Sequence, residues 1–176
     1  AEMPGYHKLV AYSDAAVIPY PTQEQRISQT RYLATLCHGM GIDCPRISLI
    51  HCSEHIDERH FPHTGGYADI IERGRQGEFG PCIIDGPLDL KTSMCPESLA
   101  VKGIDSPVGG DADALVFPDI EAANVFHKTI TLLASSRIAA VLQGPDVPVV
   151  MPSRGDDADS KYYSLALAAL QSLKNA

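Results

Sequence analysis

"SPVGGDADALVFPDIEAANV", residues 106–125, contains one whole structural step: a turn, a short apolar run and the opening of a helix. Pro107, Gly109 and Gly110 form the turn. "DALVF" (113–117) is short, apolar and bounded by polar residues, as a buried strand is. Pro118 and Asp119 then punctuate the chain, and Asp119 is suited to cap a helix over 119–135. A strand that passes directly into a helix is the unit from which parallel sheets are built.

The same alternation extends outward in both directions. "KLVAY" (8–12), "RISLIHC" (46–52), "PCIID" (81–85), "IAAVLQ" (138–143) and "VPVVM" (147–151) read as strands. Between them, a helix is expected from Thr22, its N-cap, with Ile27, Leu33, Cys37 and Met40 on the face that meets a sheet and Gly41 as its stop. Further helices are expected at 66–75 and 158–174, the last with Tyr162, Leu165, Ala169 and Leu173 on one stripe. The fold class that follows is α/β, a three-layer sheet with helices on both faces. Such sheets usually bind ligands beyond the carboxyl ends of their strands.

Composition narrows the function. The 176 residues carry a formal net charge of −8, which opposes binding to nucleic acid, because such binding depends on many Lys and Arg contacts to phosphate. No apolar stretch reaches the length of a membrane span, so neither nucleic acid nor membrane is an expected partner and the expected location is cytoplasmic. Cys37, Cys44, Cys52, Cys82 and Cys95 are odd in number and form no CxxC pair, which argues against a disulfide framework.

Several motifs admit two readings. "HCSEHIDERHFPH" (51–63) holds four histidines and could bind zinc if helical, since His51 and His55 would then share a face; a polar surface loop explains it equally well. No GxGxxG or GxxxxGK[ST] pattern is present, so a nicotinamide site or P-loop has no support. Gly109 and Gly110 permit close backbone approach to a ligand, or serve the turn alone. Ser153, Arg154 and Gly155 lie between the run "VPVVM" and the last helix. Backbone N–H groups and a guanidinium there suit phosphate or carboxylate, with Asp156, Asp157 or Asp159 as proton acceptor. The alternative is a capped helix beside a surface arginine.

Taken in order and spacing, "IDGPLDL", "KGIDSPVGGDADALVFPDIEAANVFHK" and "LQGPDVPVVMPSRGDDADSK" closely resemble the phosphate acetyltransferase and phosphate butyryltransferase family, and the butyryltransferase branch more nearly. The resemblance covers the C-terminal portion of such enzymes. It implies a fold resembling that of the isocitrate and isopropylmalate dehydrogenases, with residues 1–145 as the second, oligomerising domain. Residues 146–176 would be the strand and helix that return to a largely absent first domain. It further implies reversible transfer of a short acyl group between coenzyme A and inorganic phosphate, with coenzyme A as substrate, no cofactor and no metal, and a homodimer or higher homo-oligomer. By the same resemblance, Arg154 binds phosphate or the acyl carbonyl and Ser153 stabilises the tetrahedral species. Asp159 is the candidate base, because the family's aspartate position holds Ser160 here. Ser106, Gly109, Gly110, Asp111, Asn124 and Lys128 are the implied substrate-binding residues. The alternative is a non-catalytic relative that binds acyl-CoA or phosphate.

Overall fold

The computed structural model of the chain describes residues 1–152, 155 and 157–175, with side chains described as far as Ser172. They fall into two compact units, Val10–Phe126 and a second formed by Ala1–Leu9 with His127–Ala176.

The larger unit is built on a parallel sheet of β1 (Ala11–Ser13), β2 (Arg46–Ile50), β3 (Ile83–Leu88) and β4 (Ala114–Val116), in the order β1-β4-β2-β3. Register aligns Ala11, Ala114, Ile47 and Ile84 in one row, and Tyr12, Leu115, Ser48 and Asp85 in the next. Successive side chains on a strand point to opposite faces, so the two rows serve opposite layers. The first row packs with Ile27, Leu33, Ala34 and Cys37 of α1 (Gln23–Gly39) and with Tyr67 and Ile70 of α2 (Tyr67–Arg75). Gly74 lets α2 lie close on β3, since a Cβ there would come within 2.8 Å of Ile84 Cδ1. The second row meets α3 (Leu90–Met94), where the Ser48 and Ser93 hydroxyls pair at 2.6 Å. It also meets α5 (Ile120–Leu133), whose Phe126 ring stands edge-on to Tyr12. Helices therefore cover both faces, as the alternating pattern predicts.

Local chemistry sets the element ends. Thr22 and Gln25 form a reciprocal capping box at the start of α1, as the reading of Thr22 anticipates. Asp89 caps α3 through Thr92 N–H at 2.7 Å, and Asp119 accepts from Ala122 N–H at the start of α5. The short helices α3 and α4 (Pro96–Lys102) are too brief to leave a periodic signal, and sequence reading passes over them.

In the second unit, Glu2 and Arg137 exchange backbone hydrogen bonds and pair their side chains at 2.8 Å. Helix α6 (Ala158–Asn175) begins behind Asp157, whose carboxylate accepts from Ser160 N–H at 2.7 Å. One expectation fails here. The runs 138–143 and 147–151 form no strand; Leu142 and Val149 make a single antiparallel bridge. A β-branched run becomes a strand only with a ladder partner, and the described residues supply no longer one. The expected last helix is present as α6, with Tyr162 and Leu165 exposed and Ser164 buried, its hydroxyl accepting from Ala140 N–H. Among the described residues no helix is long and apolar enough to cross a membrane.

Candidate functional site

The carboxyl ends of the strands gather the polar chemistry of the larger unit. Beyond β1, the Asp14 carboxylate accepts from the N–H groups of Ala16, Val17 and Ile18, fixing a tight loop. Asn124 donates its amide to the Ala15 carbonyl at 3.0 Å, so this predicted ligand-binding residue ties the start of α5 to that loop. Beyond β4, the buried Arg26 guanidinium donates to the carbonyls of Pro118 and Pro21. Beyond β2, Tyr67 donates its hydroxyl to Ile50 O, and the His51 and His63 rings meet at 3.3 Å beside Phe61. Burial, then the Arg26 charge and His51, push His63 down to about 4; burial also lowers His51. Both rings are therefore neutral near pH 7.

Beyond β3, Lys102 bridges Glu54 at 2.8 Å and Asp89 at 2.7 Å. Burial works to raise Asp89, but hydrogen bonds from Lys102 and Thr92 outweigh it and hold the carboxyl below its ordinary range. Sequence reading missed this ion-pair cluster, because its members come from three separated segments. The histidine segment is a series of turns up to a 3₁₀ turn at Pro62–Gly66 and is not helical, so His51 and His55 do not share a helix face. Among the described residues no three His, Cys, Asp or Glu side chains converge as metal ligands.

A second polar group stands toward the amino ends of the strands. Ser106, nearly buried, donates its hydroxyl to Asp85 at 2.6 Å and accepts from Val108 N–H. Arg46 donates to the carbonyls of Pro107 and Val108, while its own N–H and that of Asp113 are held in exchange between the two residues. Gly109 and Gly110 both adopt positive φ, at +69° and +70°, and a Cβ on Gly110 would lie 2.5 Å from Pro96 N. Their conformation thus serves the turn and its packing on the α3–α4 junction. Asp111 donates its backbone N–H to Val108 O within the same turn.

The predicted residues accordingly separate into sets. Ser106, Gly109, Gly110 and Asp111 share the turn that precedes β4, while Asn124 follows the carboxyl end of that strand. Lys128 is exposed one turn further along α5, and Asp159 is exposed in the first turn of α6. Ser153 and Arg154 lie outside the described residues, as does Asp156. At the start of α6, hydrogen bonds from Ser160 hold the Asp157 carboxyl below its ordinary range, so Asp157 is the cap.

Residues 2–169 match the family described as phosphate acetyl/butaryl transferase. The chain is 34% identical over 169 residues to a phosphate acetyltransferase of Thermotoga maritima, covering 96% of this chain and 57% of the relative. It is 34% identical over 174 residues to a phosphate butyryltransferase of Clostridium beijerinckii, covering 99% and 57%. A branched-chain phosphotransacylase structure from Enterococcus faecalis superposes with a TM-score of 0.86 at 28% identity, covering 97% of this chain and 62% of that one. The chain spans somewhat more than half the length of the relatives it matches. A match over nearly every residue, joined to the parallel sheet described above, places this chain in the phosphate acetyl/butaryl transferase family.

Proposed function

We propose that this chain forms part of a phosphate acyltransferase that moves a short acyl group reversibly between coenzyme A and inorganic phosphate. The family match over residues 2–169 carries the reading. A phosphate acetyltransferase and a phosphate butyryltransferase are equally similar to this chain, at 34% identity, which supports a short acyl group, and the butyryltransferase-like blocks of the sequence favour one longer than acetyl. Coenzyme A is a substrate in this scheme and no cofactor takes part. The wider assignments rest on the same resemblance: a dehydrogenase-like fold, residues 1–145 as the second domain with 146–176 returning to the first, a homo-oligomer, and a cytoplasmic location.

In the acyl-phosphate-consuming direction, the coenzyme A thiol loses its proton to a carboxylate and attacks the acyl carbon. The C–S bond forms, the tetrahedral oxyanion collapses, and the C–O bond breaks to release phosphate. Charge develops on the acyl oxygen and on the departing phosphate, where Arg154 and the Ser153 hydroxyl would stabilise it. Asp159 is the proposed base. Ser106, Gly109, Gly110 and Asp111, on the turn before β4, and Asn124 and Lys128, on α5 beyond it, are proposed to bind separate parts of the substrates.

The test is phosphate-dependent release of free thiol from acetyl-, propionyl- and butyryl-CoA by the full-length protein. Turnover that peaks at butyryl or a branched acyl group supports the reading. Arg154→Ala should lower kcat by about 10²-fold or more; an unchanged rate would remove Arg154 from the site. One observation favours a second reading, a non-catalytic acyl-CoA or phosphate binder: Ser160, at the family's base position, is engaged with the capping carboxylate of Asp157. Calorimetric binding of coenzyme A without turnover of any acyl chain would select it.

A further inference from the structure

The segment that follows β2 makes no metal site among the described residues, yet it assembles a chain of three reactive side chains. Cys52 Sγ lies 3.6 Å from His51 Nε2, and His51 Nδ1 lies 3.3 Å from His63 Nε2. A neutral imidazole carries one proton, so the two contacts fix each other. A thiol that donates to Nε2 leaves the His51 proton on Nδ1, and that N–H then donates to His63. His51 is buried and stands edge-on to Phe61 at 4.7 Å, while His63 packs beside Tyr67, so both rings are held by their surroundings. Cys52 itself is exposed. An accessible nucleophile, a proton acceptor within its reach and a third group that sets the acceptor's tautomer are the parts of an activated thiol.

Burial disfavours an imidazolium at His51, while the fields of Asp57 and Glu54 favour it. The proton therefore rests on sulfur and passes to the ring as the thiol reacts, which is general-base rather than resident-thiolate activation. Such a pair suits an electrophile whose leaving atom needs a proton, since the imidazole can take the thiol proton and then give it away. Hydroperoxides are of this class, because the oxygen they release leaves poorly until it is protonated. We propose that Cys52 is a peroxide-sensitive modification site, with His51 as its general base and His63 as the residue that positions that base. The thiol proton moves to His51 Nε2, and sulfur attacks the terminal hydroxyl oxygen of the peroxide. The S–O bond forms as the O–O bond breaks, and the proton on His51 goes to the departing oxygen. Sulfur is oxidised by two electrons to the sulfenic acid, and the peroxide is reduced to water or an alcohol.

The test exposes the full-length protein to hydrogen peroxide, traps sulfenic acid with dimedone and follows each cysteine by mass spectrometry. Cys44 is the internal control, because it is also exposed and, among the described residues, no imidazole is hydrogen-bonded to it. Cys52 is expected to label on the order of 10²-fold faster than Cys44. Equal rates at the two cysteines in the unaltered protein would overturn the proposal. His51→Gln should bring Cys52 down to the rate of Cys44 and leave Cys44 unchanged; a Cys52 rate that survives this change would remove His51 as the base. His63→Phe should slow Cys52, and His63→Gln, whose amide oxygen can still accept from His51 Nδ1–H, should recover part of the rate. If phenylalanine and glutamine act alike at that position, His63 does not position the base.

Discussion

At the scale of single residues, the turn before β4 is set by Gly110 and Ser106. Gly110 combines φ of +70° with no room for a Cβ against the Cys95–Pro96 backbone. Gly110→Ala is therefore expected to destabilise the larger unit by about 2 kcal/mol or more, read as a shift in urea midpoint. Ser106→Ala removes the 2.6 Å bond to Asp85 and the acceptor of Val108 N–H, at a cost of about 1–3 kcal/mol. Ser106→Thr, which keeps the hydroxyl, should recover part of the loss. The two glycines and their neighbouring aspartates are plain in the sequence. What they bind locally is not, because Asp85 and Arg46 lie far away along the chain.

Element ends were the most legible features. Thr22 stands just before an apolar periodicity, which marks it as an N-cap, and Thr22→Ala should cost about 1 kcal/mol in thermal unfolding. The histidine segment shows the opposite case. Its residues were legible but their grouping was not, since the turns after β2 fold His63 back onto His51 and beside Arg26. The groups facing His63 are Arg26, His51, Asp119 and Tyr67. His63 sits at about 4 when folded and at the ordinary 6.5 when unfolded, so protons bind the unfolded chain first as pH falls. Stability is thus held above pH 6.5 and lost between 6.5 and about 4. Urea midpoints measured across that window should fall with pH, and His63→Phe should flatten the fall; a variant that keeps the full slope would place the effect elsewhere.

At the scale of the whole molecule, the two units differ in how their backbones are paired. Strands β2 and β4 are interior to a four-stranded ladder, whereas residues 138–150 hold one bridge between Leu142 and Val149. Hydrogen exchange should therefore be slowest at the amides of β2 and β4, and markedly faster across 138–150. Equal protection in both regions would show a ladder that the isolated bridge does not.

The sequence by itself determined the α/β class, the cap of α1, the four strands of the larger unit to within a few residues, and the family. Those features depend on periodicity, local hydrogen-bonding side chains and long blocks of matching residues, all of which are written along the chain. Only the tertiary structure decided that β4 inserts between β1 and β2, and that Lys102 joins Glu54 to Asp89. It also decided that Asn124 ties down the Ala15 loop and that "VPVVM" does not become a strand. These outcomes depend on which distant segments meet. A strand needs a ladder and a buried charge needs a partner, and neither requirement names that partner in the residues around it.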